Sequence, residues 1–174
     1  MKASLFALFV ALLMAGCGNE TPSANAPKAK EVDLNDTKVL DKIIAEAIDE
    51  EMLQFRDMNG GELAYAPNQQ APYSGWGKVT YDNGKIWRVN QYKDGKDDGP
   101  STSWYGNGRQ KWESTYEDGK PMSIVVWKPN GEKCPASNLV NGNGVWVVYG
   151  DSGTEWYRST YKDGEPVDDL PTPK

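Results

Sequence analysis

The apolar positions of this chain fall into three periods. Leu5 to Met14 is an unbroken apolar run of ten residues behind the short positive start Met1-Lys2-Ala3-Ser4. A run of that length is half of the ~20 residues a bilayer-spanning helix needs, and a charged start followed by a short apolar stretch is the pattern of a secretory signal. Further on, Val39, Leu40, Ile43, Ile44, Ala47 and Ile48 recur at three- and four-residue spacing, while Asp41, Lys42, Glu46, Asp49 and Glu50 fill the opposite side. This predicts one amphipathic helix of about four turns over 34–51, with Asn35 or Asp36 able to cap its start and an apolar stripe that must cover something. Between the run and the helix, residues 18–32 are small, polar and Pro-containing, a stretch that cannot bury a core and reads as a tether.

From about Met52 the period changes again, and turn signals take over. Tyr81-Asp82-Asn83-Gly84, Tyr105-Gly106-Asn107-Gly108, Lys128-Pro129-Asn130-Gly131 and Gly150-Asp151-Ser152-Gly153 align on their last glycine. Eleven residues after each comes a second turn glycine: Gly95, Gly119, Gly142 and Gly164. Two units are close copies, Trp112-Glu-Ser-Thr-Tyr-Glu-Asp-Gly-Lys-Pro121 and Tyr157-Arg-Ser-Thr-Tyr-Lys-Asp-Gly-Glu-Pro166, and a looser fifth unit leads the row with Asn59-Gly60 and Pro72-Tyr73-Ser74-Gly75. Asn-Gly and Asp-Gly suit the tight turns that join antiparallel strands, and residues such as Val79, Tyr81, Trp87, Val89 and Tyr92 suit a pleated surface. A single hairpin is marginal, so neighbours must stack. The expected fold is therefore mainly β: tandem antiparallel β-hairpin repeats of about ten strands, ~4.8 Å apart, forming one elongated twisted sheet, with one N-terminal amphipathic helix.

The motif of Tyr or Trp before Asn-Gly, then Tyr-Lys-Asp-Gly, then a Gly opening the next unit, resembles the MORN-repeat variant of bacterial proteins, including those labelled YwqK-type antitoxins. Gly75, Gly99 and Gly144 match the opening glycine, and Met122 departs from it. The resemblance spans roughly 52–168. It implies an extended antiparallel sheet serving as a scaffold or binding surface without catalysis. The antitoxin label implies neutralising a toxin, usually inside the cell, which an exported chain fits poorly.

The apolar run ends Leu13-Met14-Ala15-Gly16-Cys17. This resembles the lipobox of bacterial lipoproteins, with Met14 where Leu is usual. The resemblance implies diacylglycerol on the Cys17 thiol, cleavage after Gly16 and a further acyl chain such as palmitate on the new N-terminus. Two or three chains suffice for stable anchoring. Gly18 is not the Asp linked to inner-membrane retention, a hint of the outer membrane; the expected location is the cell membrane or outer membrane, outside the cytoplasm. The boundaries are then 1–16 signal peptide, 17–33 lipidated N-terminus and flexible tether, 34–51 helix, 52–168 repeats and 169–174 C-terminal tail.

Composition narrows the chemistry. There is no His, which removes the usual proton-transfer side chain near neutral pH, the Ser-His and Cys-His pairs and the commonest transition-metal ligand. Nineteen Lys and Arg against 25 Asp and Glu give a net charge of −6, with no basic block for nucleic acid. No catalytic residue, cofactor or metal is expected, and no Gly-rich phosphate loop precedes a helix. The Asp94, Asp97, Asp98 and Glu117, Asp118 groups meet no Ca²⁺ loop spacing and read as turn formers. Arg109, Lys111, Lys120 and Lys128 with Glu113 read as exposed strand charges. The seven Trp read as packing residues at repeat positions, with a sugar-binding platform as the other reading.

The fourth unit is broken. Cys134-Pro135 stands where other units have Lys111-Trp112 or Trp156-Tyr157, and proline cannot donate to a ladder. A bent or unpaired stretch is expected over Cys134, Pro135, Ala136 and Ser137, either a tolerated kink or a candidate interaction loop. Cys134 is left without a disulfide partner once Cys17 is acylated. The function these features support is that of a membrane-anchored, non-catalytic scaffold or protein-interaction module at the cell envelope. A glycan- or peptidoglycan-binding module and an antitoxin-like protein are the alternatives.

Overall fold

The computed structural model describes residues 32–58 and 61–167. The first element is a helix, α1 (Thr37–Glu46), followed by strands β1 (Ile48–Asp49), β2 (Gln54–Met58), β3 (Gly61–Tyr65), β4 (Gly75–Thr80), β5 (Ile86–Lys93), β6 (Lys96–Trp104), β7 (Gln110–Glu117), β8 (Lys120–Val126), β9 (Gly144–Tyr149), β10 (Glu155–Lys162) and β11 (Glu165–Pro166), with a 3₁₀ turn at Glu50–Met52. The protein is mainly β, its sheets antiparallel apart from one parallel pair, β1 with β4.

Asp36 is the helix cap, its carboxylate accepting from the N–H groups of Lys38 at 2.9 Å and Val39 at 3.4 Å. The helix is shorter than the 34–51 its periodicity predicts. Ala47 is already extended, and Ile48 and Asp49 leave the helical path to pair in parallel with Gly77 and Lys78. A β-branched residue gains more there, because Ile48 packs with Leu53, Ala64 and Tyr92. The helix covers the sheet through Leu40, Ile43 and Ile44, joined by Leu34 from the segment before it, which pack on Val89, Trp76 and Trp104. Lys78 Nζ donates to the Ile44 carbonyl at 2.9 Å and ties it down.

The expected single sheet is divided. Six strands run in the order β1-β4-β5-β6-β7-β8, three in the order β11-β10-β9, and β2 pairs with β3 alone. Both divisions have a backbone cause. Between β3 and β4 the chain carries Pro67 and Pro72, which have no N–H, and only single bonds such as Ala64 N–H to the Gly95 carbonyl at 2.9 Å join the ribbons. Between β8 and β9 stands Pro135, and the ladder shrinks to the bridge of Ser123 with Val140, flanked by bonds from Ile124 N–H to the Leu139 carbonyl at 3.2 Å and from Gly142 N–H to the Met122 carbonyl at 2.9 Å.

The turns fall into two kinds, each with its own recurring geometry. In each first turn the glycine N–H bonds back three residues: Gly84 to Tyr81, Gly108 to Tyr105 and Gly131 to Lys128 at 2.8 Å, and Gly153 to Gly150 at 2.9 Å. The side chain before each glycine accepts from the residue after it, as Asn83 does from Lys85 N–H and Asn107 from Arg109 N–H. In the second turns both central residues have positive φ, +50° at Asp94 and +85° at Gly95, with the same pairing at Asp118-Gly119, Asn141-Gly142 and Asp163-Gly164. That is the twist a two-residue hairpin needs.

Turns also bond to their neighbours. Gly119 N–H donates to the Asp97 carbonyl, Gly142 N–H to Met122 and Gly164 N–H to Gly142, at 2.8, 2.9 and 2.8 Å. At the other end of the ribbons Tyr81 OH donates to the Trp104 carbonyl at 2.8 Å and Tyr105 OH to the Trp127 carbonyl at 2.7 Å. Tyr105 is 1% exposed. Tyr105→Phe is therefore expected to remove this donor from the part-buried Trp127 carbonyl and cost about 1 kcal/mol, read from the urea midpoint, with a smaller loss for Tyr81→Phe, whose side chain is less buried.

Candidate functional site

One row of the six-stranded sheet departs from the usual apolar core. Register places Asn90 opposite Ser101, Ser101 opposite Ser114 and Ser114 opposite Ile124, with Arg88 opposite Ser103 in the next row. Asn90, Ser101, Ser103 and Ser114 are all buried. Over them lies Glu50 from the 3₁₀ turn, whose carboxylate meets the Arg88 guanidinium at 2.6 Å. Gly77 makes room: a Cβ there would stand 2.8 Å from the Tyr92 ring and 3.1 Å from Glu50. Asn90 Nδ2 donates to Asp97. Four atoms of this cluster, Glu50 Oε1, Arg88 Nε, Asn90 Oδ1 and Ser114 Oγ, are buried without a hydrogen-bond partner among the described residues.

Burial raises the carboxyls of Glu50 and Asp97 above their ordinary range, with Arg88 pulling both part of the way back. Burial also pushes Tyr92 up to about 12. A carboxyl whose folded value is raised favours the fold when neutral. Its contribution is complete below the unfolded value, 4.5 for Glu50, and is lost as pH rises through the folded one. Relative to Glu50→Gln, the unmodified protein is thus expected to lose stability as pH rises from about 4.5 to 7. Thermal unfolding of both at several pH values checks this; parallel curves would contradict it.

Tyr92 and Asp97 lead from this cluster to a cleft of about 610 Å³ at the end of the ribbons where Gly95, Gly119 and Gly164 turn. Phe55 and Glu62 of the β2–β3 ribbon line it from one direction, and Lys120, Tyr161 and Glu165 line it as well. Two ion pairs join neighbouring turns here, Lys96 with Asp118 at 2.8 Å and Lys120 with Glu165 at 3.1 Å. The Lys96 hydrogen bond and charge hold Asp118 below the usual carboxylate range. The acidic groups also serve the turns, since Asp98 accepts from Asp118 N–H at 3.1 Å. Among the described residues no group of three or more Asp, Glu, Cys or His is placed to hold a metal, and no helix is long and apolar enough to cross a membrane.

Cys17 lies outside the described residues. Cys134, Pro135, Ala136 and Ser137 form no strand, as the proline suggests. They are only half a loop: Pro135 and Ala136 are exposed, while Cys134 is 1% exposed and Ser137 8%. Ser137 Oγ accepts from Val147 N–H at 3.2 Å, and Cys134 Sγ stands 3.3 Å from Tyr149 OH, within the apolar cluster of Trp112, Val126 and Leu139. None of the four lines the cleft. Lys111 corrects its reading as an exposed charge: it is 8% exposed, its ammonium 5.2 Å from the rings of both Tyr105 and Trp112, and burial lowers its pKa. Its methylenes and charge are both served by that aromatic slot. Trp112 is buried and Trp146 packs on it edge to face at 6.3 Å; Trp76 and Trp104 hold the helix, and Trp156 is 54% exposed.

The polar row and the cleft were not among the sites the sequence suggests. The signal for the row was present as small polar residues, Asn90, Ser101, Ser103 and Ser114, at strand positions where apolar residues are the rule. The chain matches no family model, no curated protein and no solved structure.

Proposed function

We propose that the chain is a lipoprotein of the cell envelope, held at a membrane by acyl chains on Cys17, whose tandem β-hairpin repeats of the MORN-variant kind act as a non-catalytic scaffold that binds a protein partner. The observation that supports this best is the cleft. It draws residues from Phe55 to Pro166, so no single ribbon owns it, and the turns around it are bonded backbone to backbone. A surface assembled in that way is pre-organised, and ordering it costs a partner little. The recurring bonds of the four first turns support the repeat reading. The placement of Trp76, Trp104, Trp112 and Trp146 in packing gives the sugar-platform reading little to stand on.

Two measurements test the proposal. Growth with an alkyne palmitate analogue should label the full chain and leave Cys17→Ser unlabelled; equal labelling removes the anchor. Capture from detergent-solubilised envelopes should yield proteins with the full chain that are missing when residues 52–168 are deleted. Recovery of the same proteins by both removes the scaffold.

A further inference from the structure

The charges of the cleft are not balanced. Lys96 and Lys120 face Glu62, Asp97, Asp118 and Glu165, two positive groups against four negative, a formal charge of −2. Asp118 and Glu165 are neutralised by the two lysines. Among the described residues Glu62 and Asp97 have no cation within ion-pair distance; Asp97 Oδ1 accepts from Nδ2 of Asn90, which is 1% exposed and keeps its own Oδ1 unpartnered. Phe55, 48% exposed, and the partly exposed Tyr161 supply aromatic surface in the same cleft as these carboxylates, with the buried ring of Tyr92 at its edge. A partly desolvated carboxylate next to aromatic faces is the setting in which an organic cation gains most, from charge and ring quadrupole together. A neutral sugar would add nothing to the attraction of Arg88, which acts on Asp97 from beyond ion-pair distance, and an anion would meet net repulsion. A cleft of this volume also has room for an aliphatic stem behind the cationic head.

We infer that the cleft takes a protonated amine carried on a flexible aliphatic chain, its ammonium lying against Asp97 and its stem along Phe55. The inference rests on the scaffold reading and names the partner's chemistry. A lysine side chain of a partner protein and a free polyamine offer the same group.

Calorimetric titration of the full chain in detergent micelles, with tetralysine, spermidine, tetraglutamate and chitotriose as probes, tests it. Tetralysine is expected to bind; spermidine binding equally well points to a free polyamine, and tetralysine alone to a peptide. Asp97→Asn should weaken the cation by about tenfold. Phe55→Ala, at a position 48% exposed, should weaken it about threefold. Glu132→Gln, remote from the cleft, should change nothing. The inference falls if neither cation binds, if Asp97→Asn (or Phe55→Ala, should the former not fold) binds as the parent does, or if tetraglutamate or chitotriose binds as well as tetralysine. Where tetralysine alone binds, envelope proteins captured in full by Asp97→Asn would overturn the inference alone, whereas capture unaffected by deleting 52–168 would remove the scaffold reading beneath it.

Discussion

Arg88→Ala is expected to destabilise the protein by about 3 kcal/mol at pH 7, most of it from the charge left behind on Glu50. The Glu50 side chain is 11% exposed and Arg88 27%. Once the guanidinium is gone, Glu50 has two ways to persist: buried and ionised, or protonated. Protonating a carboxyl whose reference value is 4.5 costs about 3.4 kcal/mol at pH 7, which caps the electrostatic part. The cap falls with pH, so the deficit should shrink to about 1 kcal/mol near pH 5, leaving chiefly the lost packing of Arg88 on Trp87. Urea denaturation of Arg88→Ala at both pH values checks the size and the trend, and a deficit independent of pH would show that Glu50 finds water or another donor. Adding Glu50→Gln to Arg88→Ala should recover much of the loss at pH 7, because a neutral amide replaces the stranded charge. The exposed pair of Arg158 and Glu155, at 2.8 Å, is the contrast, with Arg158→Ala expected below about 1 kcal/mol.

This latch was hidden in the sequence, while the turns were plain in it. Asn107-Gly108 and Asp118-Gly119 carry their backbone preference within two residues, so their spacing of eleven could be read directly, and the strands on either side of each are paired antiparallel. The helix was legible in existence and in its cap but not in its end. Ile48 continues the apolar stripe, and only β4, remote in sequence, offers it a better place. The division into three sheets was half legible. Pro135 announced the break between β8 and β9, yet nothing local says that Cys134, Ser137 and Leu139 would turn inward to fill the space of the missing strand. Lys111 was misread because a lysine on a strand is usually solvated, and the slot that buries it is made by Tyr105 of the neighbouring turn. The cleft was invisible for the same reason in stronger form. Phe55, Asp97 and Tyr161 meet only after the chain has gone through every ribbon, and tertiary proximity of that kind leaves no trace in spacing.

Gly142→Ala carries the second large effect, and it tests the bonding of turn to turn directly. Gly142 has φ +73°, and a Cβ built on it would lie 2.6 Å from the amide nitrogen of Gly164 and 3.2 Å from the carbonyl carbon of Asp163. The obstacle is backbone, so no rotamer change can relieve it. The two turns must separate, and with them goes the 2.8 Å bond from Gly164 N–H to the Gly142 carbonyl. The left-handed conformation costs an alanine about 1 kcal/mol, and the lost bond with the displaced turn adds about 2 kcal/mol, giving about 3 kcal/mol in total. Gly84→Ala separates the two contributions. Its φ is +78°, but nothing lies within 4 Å of the added methyl, so it should lose only the conformational part, about 1 kcal/mol. Chemical denaturation of the pair measures the difference. Equal losses would mean that neighbouring turns merely lie close, and that the ribbons owe their alignment to the strands alone. In the expected case, amide exchange at Gly164 should also become faster in Gly142→Ala, with the exchange of Gly119, bonded to Asp97 in the six-stranded sheet, much less affected.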